Sequence, residues 1–287
     1  MFMRRQSTNI TPYWQKIRQM VGESDIVLEI LDARLVELSR NEPLEKIFKE
    51  IGRPIIYVIN KADLVSRQAL EIATDKLKDE TKAEVVYVSN RQTRTIKTLL
   101  TTIKKVFEIH GKREGERYNK FTPKKQRQHR KAKGDIVVGV FGYPNVGKSS
   151  VINSLAFKKK AIVTSKAGTT HGAHWISAGS NIKMIDTPGV IPLEYNDELR
   201  LALIAAKNPE KIKERDVVAA KIIEMFIESN KQALEKFYNI KIEREDSYNI
   251  LEEIGEKKGH LKKGGVVDEQ RTSTMIIRDW QQGKIKL

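Results

Sequence analysis

One stretch of eight residues decides the fold, and it reads Gly142-Tyr143-Pro144-Asn145-Val146-Gly147-Lys148-Ser149. It matches the pattern G-x-x-x-x-G-K-[S/T], and it lies between an apolar run at 135–141 and a helical stretch at 150–156. Such a strand, loop and helix form a phosphate-binding loop (P-loop), because successive backbone N–H groups and the helix dipole face a phosphate. We expect Lys148 to place its charge on the β- and γ-phosphates and the Ser149 hydroxyl to bind magnesium.

A second acidic motif follows the P-loop. Asp186-Thr187-Pro188-Gly189 ends a short apolar run and lies 38 residues beyond Lys148. In P-loop NTPases an aspartate in this place holds magnesium, and we expect the Gly189 N–H to meet the γ-phosphate. Between the two motifs, residues 166–171 offer a threonine to the magnesium ion and the γ-phosphate. Thr170 is preferred over Thr169, and the choice between them stays open.

A motif typical of guanine recognition lies upstream, in Asn60-Lys61-Ala62-Asp63. The Asp63 carboxylate can accept hydrogen bonds from the N1–H and the exocyclic amine of guanine, and adenine lacks both donors in that place. Binding the wrong base would leave a partly buried carboxylate without its partners. We expect Asn60 to hold this loop against the P-loop and the Lys61 stem to cover the base. Ser89-Asn90, after the next apolar run, would bring a backbone N–H near the guanine oxygen.

The order of these motifs is unusual. In ordinary GTPases the P-loop comes first and the base motif last, whereas here the base motif precedes the P-loop. Three apolar runs at 26–31, 54–59 and 84–88 alternate with helical stretches, and the same alternation resumes at 135–141. This pattern predicts an α/β fold with a mostly parallel sheet covered by helices on both faces. Circular permutation reconciles the order with that fold, since domain termini often lie close together.

The positive charge is concentrated in one segment. The chain has 287 residues, a net charge of +16 and no cysteine, which excludes disulfides, thiolate metal sites and cysteine nucleophiles. Residues 111–134 contain ten basic and two acidic side chains and so contribute half of the net charge. Their large apolar side chains are Tyr118 and Phe121, too few for a core. We interpret the segment as a basic linker that tracks an RNA backbone, the alternative being a solvated linker without a partner.

The chain resembles the YlqF/YawG-type circularly permuted GTPases. The resemblance is carried by the permuted order, by Asp32-Ala33-Arg34 after the first apolar run, by the P-loop sequence, and by a helical C-terminal part. The pattern changes to amphipathic helix near 208, so we expect a permuted P-loop GTPase domain at 1–207, including the linker, and an all-helical RNA-binding domain at 208–287. We also expect a cytoplasmic monomer without a membrane partner. The resemblance implies that it binds the large ribosomal subunit, its precursor or rRNA in the GTP state and leaves after hydrolysis.

The candidate site residues form four groups. Those predicted to bind GTP or GDP are Asn60, Lys61, Asp63, Ser89, Asn90, Asn145, Val146, Gly147, Lys148, Ser149, Ser150, Thr170, Asp186 and Gly189. The predicted magnesium ligands are Ser149, Thr170 and Asp186. The predicted catalytic residues are Lys148, Thr170, His171 and Gly189. The predicted RNA-binding residues are Lys124, Lys125, Arg127, Arg130, Lys131, Lys133, Lys262 and Lys263.

The residue that positions the hydrolytic water is left open. A glutamine commonly follows D-x-x-G, and here Val190 takes that position, which indicates slow intrinsic hydrolysis that a ribosomal particle stimulates. His171, His174 or a potassium ion held with help from Asn145 could substitute. Two other functions also remain open. One is a GTPase acting on another RNA or at a membrane, and the other is a non-catalytic RNA-binding protein with GTP as a structural ligand.

Overall fold

The computed structural model describes residues 10–89, 91–111, 136–156, 174–178, 181–187 and 197–287. The strands are β1 (Ile26–Asp32), β2 (Ile55–Asn60), β3 (Glu84–Tyr87), β4 (Ile136–Phe141), β5 (His174–Ala178) and β6 (Ile182–Asp186). The helices are α1 (Ile10–Glu23), α2 (Val36–Ser39), α3 (Glu42–Ile51), α4 (Arg67–Thr81), α5 (Thr93–His110), α6 (Lys148–Leu155), α7 (Glu198–Leu203), α8 (Arg215–Tyr238), α9 (Ser247–Lys257) and α10 (Glu269–Gln281). Short 3-10 helices occur at Ala33–Leu35, Ala62–Leu64 and Pro209–Lys211.

The six strands form one sheet in the order β3-β2-β1-β4-β6-β5. All neighbours are parallel except β5, which runs antiparallel to β6 at the edge. Every residue of β1 and β4 is buried, as expected for central strands with helices on both faces. The predicted α/β fold with a mostly parallel sheet is therefore confirmed.

The sheet brings distant sequence motifs to one edge. Because β1, β2, β4 and β6 are parallel, their carboxyl ends lie side by side, with Asp32 paired to Asn60 and Val140 paired to Asp186. The connections that follow these strands carry the base motif, the P-loop and the second acidic motif. Ligands of open α/β sheets bind outside this edge.

The C-terminal part is helical, as predicted. Helices α8, α9 and α10 surround a core that includes Phe226, Tyr238 and Trp280, all with no exposed surface. Ala202 and Leu203 of α7 pack into the same core, so α7 joins the helical part to the sheet domain. The division at residue 207 stays a proposal. Within the described ranges, no helix is long and apolar enough to cross a membrane.

The glycines between 255 and 265 have two different roles. Gly255 lies inside α9, whereas Gly259, Gly264 and Gly265 have positive φ angles in the turns that follow this helix. A Cβ at Gly255 would stand 2.4 Å from a methyl carbon of Val267 and 2.8 Å from the Thr272 hydroxyl. Gly255 therefore serves close packing of α9 rather than a turn.

Candidate nucleotide-binding site

The P-loop connects β4 to α6 in a backbone conformation that its glycines permit. Gly142 and Gly147 have φ angles of 140° and 99°, a region that other residues rarely adopt. A Cβ at Gly147 would lie 2.2 Å from the Asn60 side-chain nitrogen, and one at Gly142 would lie 2.6 Å from the Ile30 carbonyl oxygen. The loop can therefore lie against β1 and the base motif only with glycine at these two positions.

Lys148 is buried at the first position of α6. Its ammonium donates to the carbonyl oxygens of Tyr143 (2.8 Å) and Gly142 (3.2 Å). Burial lowers the pKa of Lys148 to about 8, although the negative charge of Asp186 acts in the opposite direction. A nucleotide phosphate would add negative charge and favour the protonated lysine.

The second acidic motif reaches the P-loop through the pairing of β4 with β6. Asp186 is the last residue of β6, and its charge acts on Lys148. The next residue, Thr187, is buried and donates its hydroxyl hydrogen to the Val140 carbonyl oxygen at 2.6 Å. This bond fixes the chain at the end of β6 against β4, the strand that leads into the P-loop.

The base motif is tied directly to the P-loop. The Asn60 side-chain nitrogen donates to the Val146 carbonyl oxygen at 2.9 Å, although the two residues are 86 positions apart. This contact is the one expected from the sequence. Lys61 has a left-handed backbone (φ 61°), and Asp63 follows it in the 3-10 helix Ala62–Leu64.

Ser89 has a contact with the base motif beyond the one expected from the sequence. Its own N–H donates to the Thr95 hydroxyl (3.1 Å), so this N–H is engaged within the protein. Its side-chain hydroxyl donates to one oxygen of Asp63 at 2.8 Å, and the Arg91 guanidinium lies 3.3 Å from the other oxygen. Ser89 therefore orients the carboxylate that would read the base. This role could not be predicted from the sequence, because a lone serine after a strand is common.

Asn145 has a contact that the sequence did not indicate. Its backbone is left-handed (φ 61°), and its side-chain nitrogen donates to the Ala205 carbonyl oxygen at 2.8 Å. The P-loop is thereby connected to the segment after α7. Whether Asn145 also helps to hold a potassium ion stays a prediction.

Several predicted residues cannot be placed. Those outside the described residues are Asn90, Thr169, Thr170, His171, Gly189, Val190, Lys124, Lys125, Arg127, Arg130, Lys131 and Lys133. The described residues Ser149 and Ser150 are exposed on the first turn of α6, and Lys262 and Lys263 are exposed in the helical part. His174 lies in β5, where only its backbone is described.

The described residues fit a guanine nucleotide with a hard cation. The P-loop glycines leave room where a Cβ would collide, Lys148 is a buried cation, and Asp63 is a carboxylate held by Ser89. The Ser149 hydroxyl and the Asp186 carboxylate are oxygen donors of the kind that magnesium prefers. The site can therefore bind phosphates at one end and discriminate a purine at the other.

Comparisons with known proteins agree with this geometry. The 50S ribosome-binding GTPase family matches residues 137–257, and the ferrous iron transport protein B family matches residues 15–103. The chain is 37% identical to an uncharacterised GTP-binding protein of Methanocaldococcus jannaschii, over 96% of this chain and 66% of that protein. It is 30% identical to ribosome biogenesis GTPase A of Bacillus cereus, over 94% of this chain and 88% of that protein. The GNP-bound structure of YlqF from T. maritima superposes with a TM-score of 0.59 at 20% identity, covering 96% of this chain and 97% of that one.

Proposed function

This chain belongs to the family of ribosome biogenesis GTPase A, and we propose that it binds GTP with magnesium at the described edge of the sheet and uses hydrolysis to leave a precursor of the large ribosomal subunit. The observation that carries the proposal is the hydrogen bond from Asn60 to the Val146 carbonyl oxygen. It joins a guanine-type motif to a P-loop that follows it in the chain, so one ligand with a purine and phosphates can span both. Asp63 would read the base.

Residues of this chain would bind the nucleotide phosphates and magnesium and orient them. Lys148 would neutralise the phosphates, while Ser149 and Asp186 would hold magnesium, which supplies charge stabilisation on the phosphate oxygens when bound. Thr170 and the Gly189 N–H are assigned to the γ-phosphate from the sequence. Hydrolysis without a stimulating particle would be slow, because Val190 offers no group to orient water.

The helical part offers a surface suited to an RNA backbone. A cleft of about 430 Å³ is lined by Arg215, His260, Asp268, Gln270, Arg271, Thr274, Met275 and Arg278. Beside it, a turn between the bridged residues Leu261 and Val267 exposes Lys262 and Lys263. Asp268 also lines the cleft and Arg278 pairs with Glu210 at 2.9 Å, but the three arginines and two lysines leave a positive surplus that favours phosphate contacts. With the basic linker, this surface would form the RNA-binding face.

The nucleotide state can reach that surface through the end of β6. Asp186 is followed by residues 187–196 and then by α7, which packs into the helical core. We infer that a γ-phosphate held at 186–189 shifts the population of orientations of the helical part on RNA. The GTP form would bind the particle and the GDP form would leave it.

Co-sedimentation with large ribosomal subunits and their precursors tests this function. We expect the chain to pellet with particles in a non-hydrolysable GTP analogue and to stay in the supernatant with GDP. Single-turnover GTP hydrolysis should be faster with particles than without them. Equal pelleting in both nucleotides would refute the switch. Nucleotide-dependent pelleting without any stimulated hydrolysis would favour the non-catalytic alternative, in which GTP is a structural ligand.

A further inference from the structure

A buried ion-pair cluster lies next to the base motif. Asp32, at the carboxyl end of β1, has 1% of its surface exposed, and the Lys61 ammonium lies 2.7 Å from its Oδ2. Arg34 donates to the same carboxylate from Nε (3.0 Å) and Nη2 (2.8 Å), in a two-pronged pair. Burial alone would raise the pKa of Asp32, but Arg34 and Lys61 outweigh it and hold the pKa well below its usual range. The Asp32 carboxylate therefore stays ionised and pairs with both cations.

Asp32 pairs with a residue, Lys61, whose backbone is constrained. Lys61 has a φ of 61°, a conformation that costs about 1–2 kcal/mol in residues other than glycine and persists only where neighbouring contacts impose it. Its side chain is 20% exposed, and its stem would cover the guanine base. With the ammonium held by Asp32, fewer rotamers of that stem have to be frozen when a nucleotide binds.

Arg34 is held from the other side by the helical part. Its side chain has no exposed surface, its Nη1 donates to the Trp280 carbonyl oxygen, and its guanidinium carbon lies 4.1 Å from the centre of the Trp280 ring. Trp280 lies in the last turn of α10, where the helix dipole favours a cation. The indole N–H of Trp280 donates to the Leu203 carbonyl oxygen at 2.8 Å. Arg34 therefore links the cluster at Lys61 to the core of the helical part.

A second contact from the helical part is made directly after the base motif, at Leu64. Leu64 belongs to the same 3-10 helix as Asp63, and its carbonyl oxygen accepts from the Leu287 N–H at 2.9 Å. Gly283 lies against the Leu64 side chain, where a Cβ would stand 2.7 Å from Leu64 Cδ1. The segment after α10 thus packs on Leu64, next to Asp63, while Trp280 reaches Lys61 through Arg34 and Asp32.

We propose that Asp32 and Arg34 are positioning residues for the guanine site and that docking of α10 on Arg34 is thermodynamically coupled to nucleotide binding. The proposal deepens the proposed function, since it rests on Lys61 covering the base. Coupling is reciprocal, so whatever strengthens guanine binding through this cluster strengthens α10 docking by the same factor. An RNA that draws α10 away from Arg34 would weaken nucleotide binding. This route starts at the base, whereas the route through Asp186 starts at the γ-phosphate.

The first test measures GDP affinity in variants that keep the fold. Arg34→Lys retains a charge for Asp32 but loses the two-pronged pair and the ring contact, and Trp280→Phe retains an aromatic ring but loses the indole hydrogen bond. We expect each to weaken GDP binding by about tenfold, the loss of about 1.4 kcal/mol. Arg67→Lys is the matched control, because it changes an exposed ion pair with Glu71 on α4, and it should bind GDP like the wild type. Circular dichroism melting checks that each variant is folded.

A double-mutant cycle separates positioning from a general structural effect. If Arg34 acts through Lys61, then Arg34→Lys should no longer weaken GDP binding in a Lys61→Met background. Equal losses in both backgrounds, or wild-type GDP affinity in folded Arg34→Lys and Trp280→Phe, would overturn the proposal. Failure of the wild type itself to bind GDP would instead refute the proposed function.

A spectroscopic readout follows the coupling from the other end. The chain has three tryptophans, and with Trp14 and Trp175 replaced by phenylalanine the emission reports on Trp280 alone. In this variant with Arg34 retained, GDP should shift the emission, and the shift should be lost when Arg34→Lys is added. An unchanged emission after saturation of the variant that retains Arg34 with GDP would contradict the coupling.

Discussion

The Asp63 carboxylate is held so that it can read a base. Ser89 fixes one oxygen, Arg91 lies beside the other, and each oxygen retains a further lone pair for a purine donor. Guanine matches this acceptor pair with two donors. We therefore expect the base specificity of the site to lie in the acceptor pattern of this one side chain.

Replacing Asp63 with asparagine should change the preferred base. The amide offers one acceptor and one donor, which matches xanthine, whose carbonyl replaces the exocyclic amine of guanine. We expect Asp63→Asn to bind GDP at least about 100-fold more weakly, because two charge-assisted bonds of about 1.5–3 kcal/mol each are lost. The same variant should bind xanthosine diphosphate better than the wild type does. Fluorescence competition titrations measure both, and Asp75→Asn, an exposed residue of α4, is the control. Unchanged base preference would refute the role of Asp63.

We expect Lys148 to make nucleotide binding depend on pH. With a pKa of about 8 in the free protein, half of the lysines are neutral at pH 8, and the phosphates favour the charged form. GDP binding at pH 8 should therefore take up about half a proton, and affinity should fall by about tenfold per pH unit well above pH 8. Calorimetry in buffers of different ionisation enthalpy measures the uptake. At pH 6.5 the uptake should be near zero, and Lys148→Arg should abolish it at pH 8. No uptake by the wild type at pH 8 would contradict this assignment.

At the scale of the elements, two helical glycines have opposite surroundings. Gly22 in α1 has no atom within 4 Å of where its Cβ would stand, whereas Gly255 in α9 faces Val267 and Thr272. Alanine lowers the conformational entropy cost of a helix in both places. Only at Gly255 does the added methyl group meet a packed neighbour.

The same substitution should therefore have opposite effects on stability. Gly22→Ala should raise the free energy of unfolding by about 0.5–1 kcal/mol, the difference in helix propensity. Gly255→Ala should lower it by about 1–3 kcal/mol, because overpacking outweighs propensity. Urea unfolding followed by circular dichroism measures both, each variant serving as the control for the other. A stabilising Gly255→Ala would show that α9 can move away from Val267.

The elements could be predicted from the sequence better than the contacts between them. The runs at 26–31, 54–59 and 135–141 became central strands, because buried parallel strands need continuous apolar residues. Motifs at strand ends could then be placed together by the geometry of a parallel sheet. The bond from Arg34 to Trp280 joins residues 246 positions apart, and no local pattern indicates it. The role of Gly255 could not be predicted either, because a glycine required for close packing looks the same in a sequence as one required by a turn.

At the scale of the whole molecule, two groups of basic side chains are candidates for contacts with RNA. The basic linker carries half of the surplus, and the cleft beside Lys262 and Lys263 adds arginines in the helical part. Both would approach the same polyanion if the helical part changes orientation with the nucleotide. The salt dependence of binding can tell the two groups apart.

Neutralising the linker should change the salt dependence of RNA binding. Replacing Lys124, Lys125, Arg130 and Lys131 with glutamine should lower the slope of log affinity against log salt by about 3–4, since each lost phosphate contact removes about 0.7–0.9. Lys262→Gln with Lys263→Gln should lower it by about 1–2. Filter binding to ribosomal RNA across a salt series measures both slopes. An unchanged slope in the linker variant would identify the segment as a solvated connector.

The central claim is that a nucleoside triphosphate whose base is selected by Asp63 governs attachment to the large ribosomal subunit. The most direct measurement is co-sedimentation of the Asp63→Asn chain with subunit precursors in non-hydrolysable analogues of GTP and of xanthosine triphosphate. At concentrations that saturate only the matching site, we predict that the variant pellets with the xanthosine analogue and not with the GTP analogue, while the wild type does the reverse. Equal pelleting of the variant with both analogues, or with neither while xanthosine binding is intact, would contradict the account.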